Sequence, residues 1–163
     1  MIFSLLFLIG PQGVLSRRDE RFMRVQGKTI HELSPGDSAH FSKQVTEKDL
    51  QHFAEATGDF NPIHFDQAYA EKTSFKGRIA HGILSLGFIS AVFGNIFPGP
   101  GTIYLSQEVK FLAPVRIGDT ITATVEVMEI NLEKKRVKFK TVCTNQNGKD
   151  VVSGAAWVMP PQK

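Results

Sequence analysis

The sequence predicts an α+β domain in which an antiparallel sheet curls around one buried helix. Residues 82–97 carry no charged side chain and present apolar residues on every face, which is typical of a helix enclosed by other structure. Beyond residue 101, apolar and polar residues alternate with a period of two through four stretches, as in half-buried strands. One apolar helix followed by long strands indicates a sheet packed around that helix.

The apolar stretch at residues 82–97 has the length of a central helix and not of a membrane span. A helix of this length would be about 24 Å long, whereas crossing a bilayer takes about 20 apolar residues. Its small residues lower helix propensity but allow strands or a ligand to approach closely; they are Gly87, Ser90, Ala91 and Gly94. We therefore predict that neighbouring structure covers this helix on all sides.

The four alternating stretches predict four strands, each with one set of side chains on a shared face. The sets are Ile103, Leu105, Gln107, Val109 and Phe111; Ile121, Ala123, Val125 and Val127; Val137, Phe139, Thr141 and Cys143; and Val151, Ser153, Ala155 and Trp157. The turn signals are Ala113-Pro114, Gly118-Asp119, Glu133-Lys134 and Asn147-Gly148, of which the last is typical of a tight hairpin. No internal repeat or linker interrupts this pattern.

Before the central helix, the sequence predicts a first strand followed by two further helices. Apolar and polar residues alternate from His40 onwards, as in a strand. Thr46, with Asp49 three positions later, is a capping signal for a helix that Gly58 ends. Asp66 is predicted to cap a second, much shorter helix.

Length and composition indicate one domain without nucleic-acid-binding character. The 163 residues, 42% of them hydrophobic, suffice for a sizeable core and are too few for two ordinary domains. The net charge of +3 is only weak support for polyanionic partners, so no nucleic acid is predicted. Cys143 is the only cysteine and the five histidines lack close metal-ligand spacing, so we predict no internal disulfide and no metal.

The first 23 residues are predicted to be an extension outside the fold, which leaves residues 24–163 as a single domain. The apolar run at residues 2–9 is far shorter than the roughly 20 residues that span a bilayer, so no membrane span is predicted. A secretory signal would place positive charge before that run, whereas Arg17, Arg18 and Arg21 follow it. The acidic pair at residues 19–20 counts against a mitochondrial presequence.

An acid and an imidazole five positions apart predict the reactive centre. Asp59 and His64 flank Asn61-Pro62, a turn signal that predicts a loop over residues 57–66, because proline disfavours helical geometry in the residue before it. Such a loop can direct both side chains to one point, with the amide of Asn61 beside them. A carboxylate and an imidazole are suited to exchanging protons near neutral pH.

Two segments, Asp-Phe-Asn-Pro-Ile-His-Phe-Asp at residues 59–66 and Ile-Ala-His-Gly-Ile-Leu at residues 79–84, carry a family resemblance. They resemble the hydratase-2 motif of (R)-specific enoyl-CoA hydratases, the MaoC-like dehydratases of the hot-dog fold. The resemblance continues through residues 97–107 and 111–119, and it covers most of the chain. It implies a hot-dog domain and a hydro-lyase that adds water reversibly, in the syn sense, to trans-2-enoyl thioesters of fatty acid metabolism, giving the (3R)-hydroxyacyl product.

The resemblance also implies roles for individual residues. Asp59 and His64 would hold one water jointly, with the acid mainly as base and the imidazole mainly as proton donor. Gly82 would stabilise the enolate oxygen, which agrees with the unpaired N–H groups and the positive dipole of a helix N-terminus. Ser90 matches a family serine, although it lies about 12 Å along the helix from Gly82. The predicted substrate-binding set is completed by Asn61 and His81.

Other functions stay open beside this one. Hot-dog thioesterases and the other dehydratase branch of the fold resemble each other in carrying an Asp or Glu on the central helix or beside it. Residues 79–97 contain neither, which argues against both. A non-catalytic acyl-thioester-binding module would need neither Asp59 nor His64. The substrate carrier is either coenzyme A or an acyl carrier protein, and no cofactor is predicted.

The expected partners follow from exposed surfaces and from the resemblance. A sheet that wraps one helix leaves edges and apolar surface exposed, so we predict a homodimer. A basic hairpin is interpreted either as a solvated surface or as a contact for the phosphates of coenzyme A or for an acidic carrier protein; it contains Lys134, Lys135, Arg136, Lys138 and Lys140. The expected location is the cytoplasm, or the mitochondrial matrix in a eukaryote.

Overall fold

A computed structural model describes residues 26–162, which contain five strands and one long helix. The strands are β1 (Ser38–Gln44), β2 (Ile103–Phe111), β3 (Thr120–Asn131), β4 (Arg136–Thr144) and β5 (Asp150–Met159). The helices are α1 (Glu47–Thr57), α2 (Pro62–Phe65), α3 (Gln67–Glu71) and α4 (Gly82–Asn95), and a 3₁₀ turn at Ile30–Glu32 precedes β1. The predicted extension at residues 1–23 lies outside the described residues.

The strands form one antiparallel sheet in the order β1-β3-β4-β5-β2, and α4 packs across it. The core lies between them, where the ring of Phe93 on α4 meets Tyr104 of β2 and Phe139 of β4, both with centroids 5.1 Å away. This arrangement confirms the predicted sheet around a central helix, which ends at Asn95 rather than Phe97. In the described part of the chain, no helix is long and apolar enough to cross a membrane.

Helix α1 begins and ends where its capping chemistry predicts. The side chain of Thr46 accepts a hydrogen bond from the backbone N–H of Asp49, and the carboxylate of Asp49 accepts one from the backbone N–H of Thr46. Gly58 ends the helix in the left-handed region at φ 79°, and its N–H donates to the carbonyl of Ala54. These local caps fix where the chain leaves the helix, immediately before Asp59.

The prediction of a loop over residues 57–66 is wrong for its second half, because residues 62–65 form the one-turn helix α2. Asn61 is its N-cap, with the side-chain oxygen accepting from the N–H of Ile63, and Pro62 occupies the first helical position. Proline disfavours helix in the residue before it but suits the first turn, where its missing N–H has no partner to lose. The predicted cap at Asp66 is confirmed for the following helix, α3.

The strand faces are confirmed for β3 and β4, while β2 and β5 differ. The predicted sets on β3 and β4 are fully buried. In β2, a register shift between Tyr104 and Ser106 turns Tyr104 into the core and leaves Leu105 exposed. In β5, the predicted set lies mostly on the outer side, and the core takes the alternate residues Val152, Ala156 and Val158. Alternation defines two faces without telling which one is buried.

Helix α4 is covered on one side only, so the prediction that every face is covered is wrong for the single chain. Its buried residues are Ser85, Phe88, Ile89, Val92 and Phe93. Ile83, Gly87 and Ser90 are exposed on the other side, and a Cβ at Gly87 would meet no atom of the described residues within 4 Å. One sheet can enclose only the side of a helix that it contacts, so the uniform apolar character requires a different explanation.

Candidate active site

Asp59 lies just beyond the end of α1, where its side chain is held near the surface. The backbone N–H of Asn61 donates to Asp59 Oδ1 at 3.2 Å, and the N–H of Asp59 donates to Thr57 Oγ1 at 3.3 Å. Half of the Asp59 side chain is exposed, so the carboxylate remains accessible to water. The role found for Asn61 is therefore to orient the acid through its backbone while its side chain caps α2.

His64 is buried on α2, and its ring has one defined proton position. Nδ1 lies 2.8 Å from the carbonyl oxygen of Ile79, which can only accept, so Nδ1 carries the proton. The neutral ring then has its free lone pair on Nε2. Burial lowers the pKa of His64 below its ordinary value of 6.5, against the opposing effect of the Ile79 hydrogen bond; proximity to His81 lowers it further, and Asp59 raises it.

His81 is buried beside both residues, and it contacts the backbone of Asp59 and the ring of His64. Its Nε2 donates to the backbone carbonyl of Asp59 at 3.0 Å and lies 4.0 Å from Asp59 Oδ2. Its ring stacks on that of His64 with centroids 3.8 Å apart, and Phe53 packs on it at 4.6 Å. Its Nδ1 is buried and has no hydrogen-bond partner among the described residues. These contacts make His81 a support for the two predicted catalytic residues.

Asp59, His64 and His81 each place one possible ligand atom within 4.8 Å of the others, which is also a spacing that could serve a metal ion. Hydrogen bonds to carbonyl oxygens already occupy Nδ1 of His64 and Nε2 of His81, which leaves one free nitrogen on each ring. The described residues thus offer two imidazoles and one carboxylate here. The absence of a metal stays a prediction.

Gly82 is the first residue of α4, at the helix end where backbone N–H groups lack intrahelical partners. His81 is the N-cap residue, and its side chain makes no capping hydrogen bond. The ring of Phe111 lies so close that a Cβ on Gly82 would approach its Cε1 atom to 2.9 Å. Glycine is therefore the residue that lets the β2 end and the α4 start meet without displacement.

A cavity of about 400 Å³ opens beside these residues. Its wall includes the polar residues His64 and Ser85 together with Gly82. The rest is apolar: Phe75, Ile79, Ala80, Ile83, Phe111, Leu112, Ala113, Pro114, Val115, Val151 and Val152. An apolar cavity with a buried imidazole and a helix N-terminus at its wall suits a molecule that has an acyl chain and a reactive carbonyl group.

Comparison with known proteins agrees with this geometry. The family described as "MaoC like domain" matches residues 32–149. The chain belongs to this MaoC-like family. An (R)-specific enoyl-CoA hydratase from Rhodospirillum rubrum is 52% identical over 134 residues, which cover 82% of this chain and 92% of the relative.

Two further proteins are similar to this MaoC-like domain. A 3-hydroxybutyryl-CoA dehydratase from Methylorubrum extorquens is 44% identical over 135 residues, covering 82% of this chain and 85% of the relative. The structure of unliganded R-hydratase PhaJ1 from Pseudomonas aeruginosa is 47% identical with a TM-score of 0.79, covering 85% of this chain and 89% of that one. The predicted family and hot-dog fold are thereby confirmed.

The fold of the MaoC-like domain brings together most of the predicted site and leaves Ser90 apart from it. Asp59, His64 and His81 form one cluster, and Gly82 shares the cavity wall with His64. Ser90 lies on the exposed face of α4 and does not line the cavity described above. Within one chain, the serine at the cavity is Ser85, three residues after Gly82 and hence on the same side of the helix.

Sequence reasoning missed two groups of the MaoC-like domain that hold the cavity wall and the ring of His64 in place. The guanidinium of Arg116 donates to the carbonyl oxygens of Phe75, Gly77 and Arg78, and so holds the loop in which Phe75 contributes to the wall. The carbonyl of Ile79, which sets the proton position on His64, was equally unpredicted. No sequence signal identifies a backbone carbonyl, and an isolated arginine indicates no partner.

The basic hairpin of the MaoC-like domain lies at the far end of the sheet from the cavity. Val137, within the hairpin, pairs with Val158, whereas the cavity adjoins Val151 and Val152 at the other end of β5. The separation along β5 is about 20 Å. Arg136 and Lys138 pack over the ring of Trp157 instead. The predicted contact of this hairpin with the phosphates of coenzyme A or with an acidic carrier protein stays a prediction.

Proposed function

We propose that this protein is an (R)-specific enoyl-CoA hydratase, a hydro-lyase that reversibly adds water to trans-2-enoyl thioesters and yields (3R)-hydroxyacyl thioesters. The observation that carries the proposal is the pairing of Asp59 with His64 at an apolar cavity beside the start of α4. The relatives named as enoyl-CoA hydratase and hydroxybutyryl-CoA dehydratase support it through high identity over most of their length.

The resting proton positions support a first step in which water gives a proton to Asp59 or to His64. The carboxylate of Asp59 and Nε2 of neutral His64 are both hydrogen-bond acceptors, because the His64 proton resides on Nδ1. A water between them would donate both its hydrogens and keep a lone pair for carbon 3 of the enoyl group. His64 can therefore donate a proton from Nε2 only after Nε2 has first accepted one. This refines the expected role of His64 mainly as proton donor.

Water then adds across the C2–C3 double bond. The water oxygen bonds to carbon 3, the C2–C3 π electrons move towards the thioester to form an enolate, and the pair takes up the proton that water loses. Collapse of the enolate draws that proton to carbon 2. Because oxygen and proton come from the same side of the substrate, the addition is syn, as the family resemblance implies.

The enolate oxygen needs a donor while it carries negative charge. The backbone N–H of Gly82 at the start of α4 can supply it, and the helix dipole adds to its effect. Removal of one such donor from an enzyme costs about 3 to 4 kcal/mol of transition-state stabilisation. The apolar cavity wall excludes water around the acyl chain and strengthens these interactions.

We also propose that the protein is a homodimer and acts in the cytoplasm on coenzyme A thioesters. The exposed face of α4 includes Ile83, of which 52% is exposed, and β2 is an edge strand with Ile103 and Leu105 exposed. Unpaired strand edges and exposed apolar patches favour association. A second copy packed there would cover the side of α4 that one sheet leaves open.

The test of the function is the loss of enoyl-thioester absorbance of crotonyl-CoA on addition of purified protein. The unmodified chain should hydrate the substrate to the (3R) alcohol, identified by chiral analysis. Asp59→Asn and His64→Gln should each lower kcat by at least about 100-fold, since each removes a proton-transfer group. His52→Gln, at an exposed histidine on α1, is the matched control and should leave kcat unchanged.

Two other outcomes decide between the alternatives. If only an acyl carrier protein thioester is turned over, the chemistry stands and the coenzyme A assignment is wrong. If neither thioester is turned over but both bind unchanged, the protein is an acyl-binding module and the enzymatic proposal fails.

A further inference from the structure

A bidentate ion pair between Arg78 and Glu47 lies outside the cluster of Asp59, His64 and His81 and contacts the backbone of His64. The guanidinium of Arg78 donates through Nε to the backbone carbonyl of His64 at 2.7 Å. Its two remaining nitrogens donate to both carboxylate oxygens of Glu47, at 3.0 Å from Nη1 to Oε1 and 2.6 Å from Nη2 to Oε2. All three nitrogens of one planar group are therefore committed to two partners that are distant in sequence.

The residue after Arg78 holds the imidazole of the same histidine. The carbonyl of Ile79 accepts from His64 Nδ1 at 2.8 Å, and the N–H of Ile79 donates to the carbonyl of Ile63 at 3.4 Å. Segment 78–79 therefore contacts segment 63–64 at three points, one of which is the ring itself. A displacement of Arg78 would move the acceptor that fixes the His64 proton on Nδ1.

Glu47, the second partner of Arg78, lies on the helix that leads to Asp59. Glu47 is the first residue of α1, and Asp59 follows the Gly58 cap at the end of the same helix. Arg78 thus joins the rigid element that positions Asp59 to the backbone that positions His64. Catalysis by the pair needs both groups at one water, so their separation must be held within a fraction of an ångström.

We propose that Arg78, anchored by Glu47, is a positioning residue for His64. It contacts neither the cavity nor the acid, and it acts by holding the carbonyl of His64 and the adjoining Ile79 acceptor in register with α1. The kinetic part of this inference rests on the proposed hydratase function. Its structural part, the fixed Nδ1–H of His64, does not.

The three hydrogen bonds of the Arg78 side chain require a guanidinium group and not only a positive charge. Lysine carries its three donors on one nitrogen, so it lacks the planar set of separate nitrogens with which Arg78 reaches the His64 carbonyl and both oxygens of Glu47. Arg78 is 20% exposed and Glu47 62%, so the charge attraction itself is weakened by solvent. Arg78 therefore acts through the geometry of its contacts and not through its charge.

The chain offers a matched control in the same helix turn. Lys43 pairs with Asp49 of α1 at 2.6 Å, and it also bonds the carbonyl of Gln44, without a contact to the site. Lys43→Gln removes an ion pair to the first turn of α1, as Glu47→Gln does, but leaves segment 78–79 untouched. A purely structural contribution of such ion pairs would affect these two variants alike, whereas Arg78→Lys keeps the charge and changes only the geometry of the contacts.

The experiment compares Arg78→Lys, Glu47→Gln and Lys43→Gln with the unmodified chain. For crotonyl-CoA hydration, Arg78→Lys should lower kcat by about 10-fold to 100-fold with KM unchanged, as expected when a reacting group is misplaced. Glu47→Gln should lower kcat in the same direction and less, while Lys43→Gln should not lower it. In NMR spectra of protein with ¹⁵N-labelled histidine, the His64 Nδ1–H signal, assigned by its loss in His64→Gln, should broaden or vanish in Arg78→Lys only.

The proposal is overturned if Arg78→Lys retains the kcat of Lys43→Gln, or if its His64 Nδ1–H signal is unchanged. Unfolding midpoints of all variants separate a loss of kcat from a loss of folded protein. If Arg78→Lys does not fold, Glu47→Gln decides, because the exposed Glu47 can be replaced with little loss of packing. If the unmodified chain hydrates no thioester, the proposed function fails, and the NMR comparison alone decides the positioning role.

Discussion

The proton on His64 is placed by its surroundings and not by the residue type. An exposed histidine exchanges between tautomers and charge states near neutral pH. Here the Ile79 carbonyl holds the proton on Nδ1, and burial disfavours the imidazolium. The consequence is a ring that presents a lone pair to a water beside Asp59 over a wider pH range than a free histidine would.

We expect the acidic limb of kcat/KM for crotonyl-CoA to lie below pH 6.5. The pKa of His64 is lowered from its ordinary value of 6.5, so the reactive neutral ring persists as pH falls until the folded-state pKa is reached. A limb at or above pH 6.5 would contradict the neutral, Nδ1-protonated ring.

The same shift predicts a pH-dependent stability. In the window below pH 6.5 and above the folded-state pKa, the unfolded chain binds a proton at His64 that the folded chain does not. The free energy of unfolding should therefore fall as pH is lowered through this window, and level off below it. Denaturant titrations should show a smaller fall in His64→Gln than in the unmodified chain.

Gly82→Ala should impair catalysis through the ring of Phe111. The new methyl group would lie 2.9 Å from Cε1 of Phe111, so the ring, which is 52% exposed, must move out of its place at the cavity wall. We expect kcat/KM to fall by about 10-fold, because the donor and the cavity wall are both displaced. Steady-state kinetics of Gly82→Ala and of Gly82→Ala with Phe111→Leu test this, since the smaller side chain should restore part of the loss.

At the scale of elements, α1 is a rigid helix whose two ends are fixed by caps. Its capping box sets the first turn, and the left-handed Gly58 sets the direction in which Asp59 leaves. The short helix α2 returns the chain so that His64 faces the acid. The Asn61-Pro62 pair therefore turns the chain and starts a helix at the same time.

Gly58→Ala should lower both stability and activity. Alanine at φ 79° costs about 1 kcal/mol of folding free energy, and the relaxation that relieves this strain moves Asp59. Thr46→Ala is the control, since loss of this N-cap also costs about 1 kcal/mol but acts at the opposite end of α1. Chemical denaturation should give similar losses for the two variants, whereas only Gly58→Ala should lower kcat. Equal kcat values would show that Asp59 does not depend on this cap.

At the scale of the whole molecule, the open side of α4 is the feature that one chain does not explain. Ile83 and Ser90 are exposed there on a helix that has no charged residue in any position. Such a sequence is typical of a buried helix. A second copy packed on this side would reconcile the sequence with the structure, and it would place Ser90 at an interface.

Gly87→Glu should therefore convert the protein to monomers. A Cβ at Gly87 has open space in the single chain, so the substitution should leave the chain folded, while a buried carboxylate at an interface is costly. Light scattering at micromolar concentration should give the dimer mass for the unmodified chain and half of it for Gly87→Glu. Lys48→Glu, on the exposed side of α1, is the control for added negative charge. A monomeric unmodified chain would refute the dimer.

The sequence by itself determined the sheet around one helix, the caps of α1 and the pairing of Asp59 with His64. These features depend on burial periodicity and on hydrogen bonds between residues a few positions apart, both of which are present in the order of side chains. Only the tertiary structure decided which face of β5 is buried, where β2 shifts register, which carbonyl fixes the His64 proton and which arginine holds that segment. These features depend on backbone groups and side chains that distant segments bring together, and a backbone carbonyl is the same group in every residue.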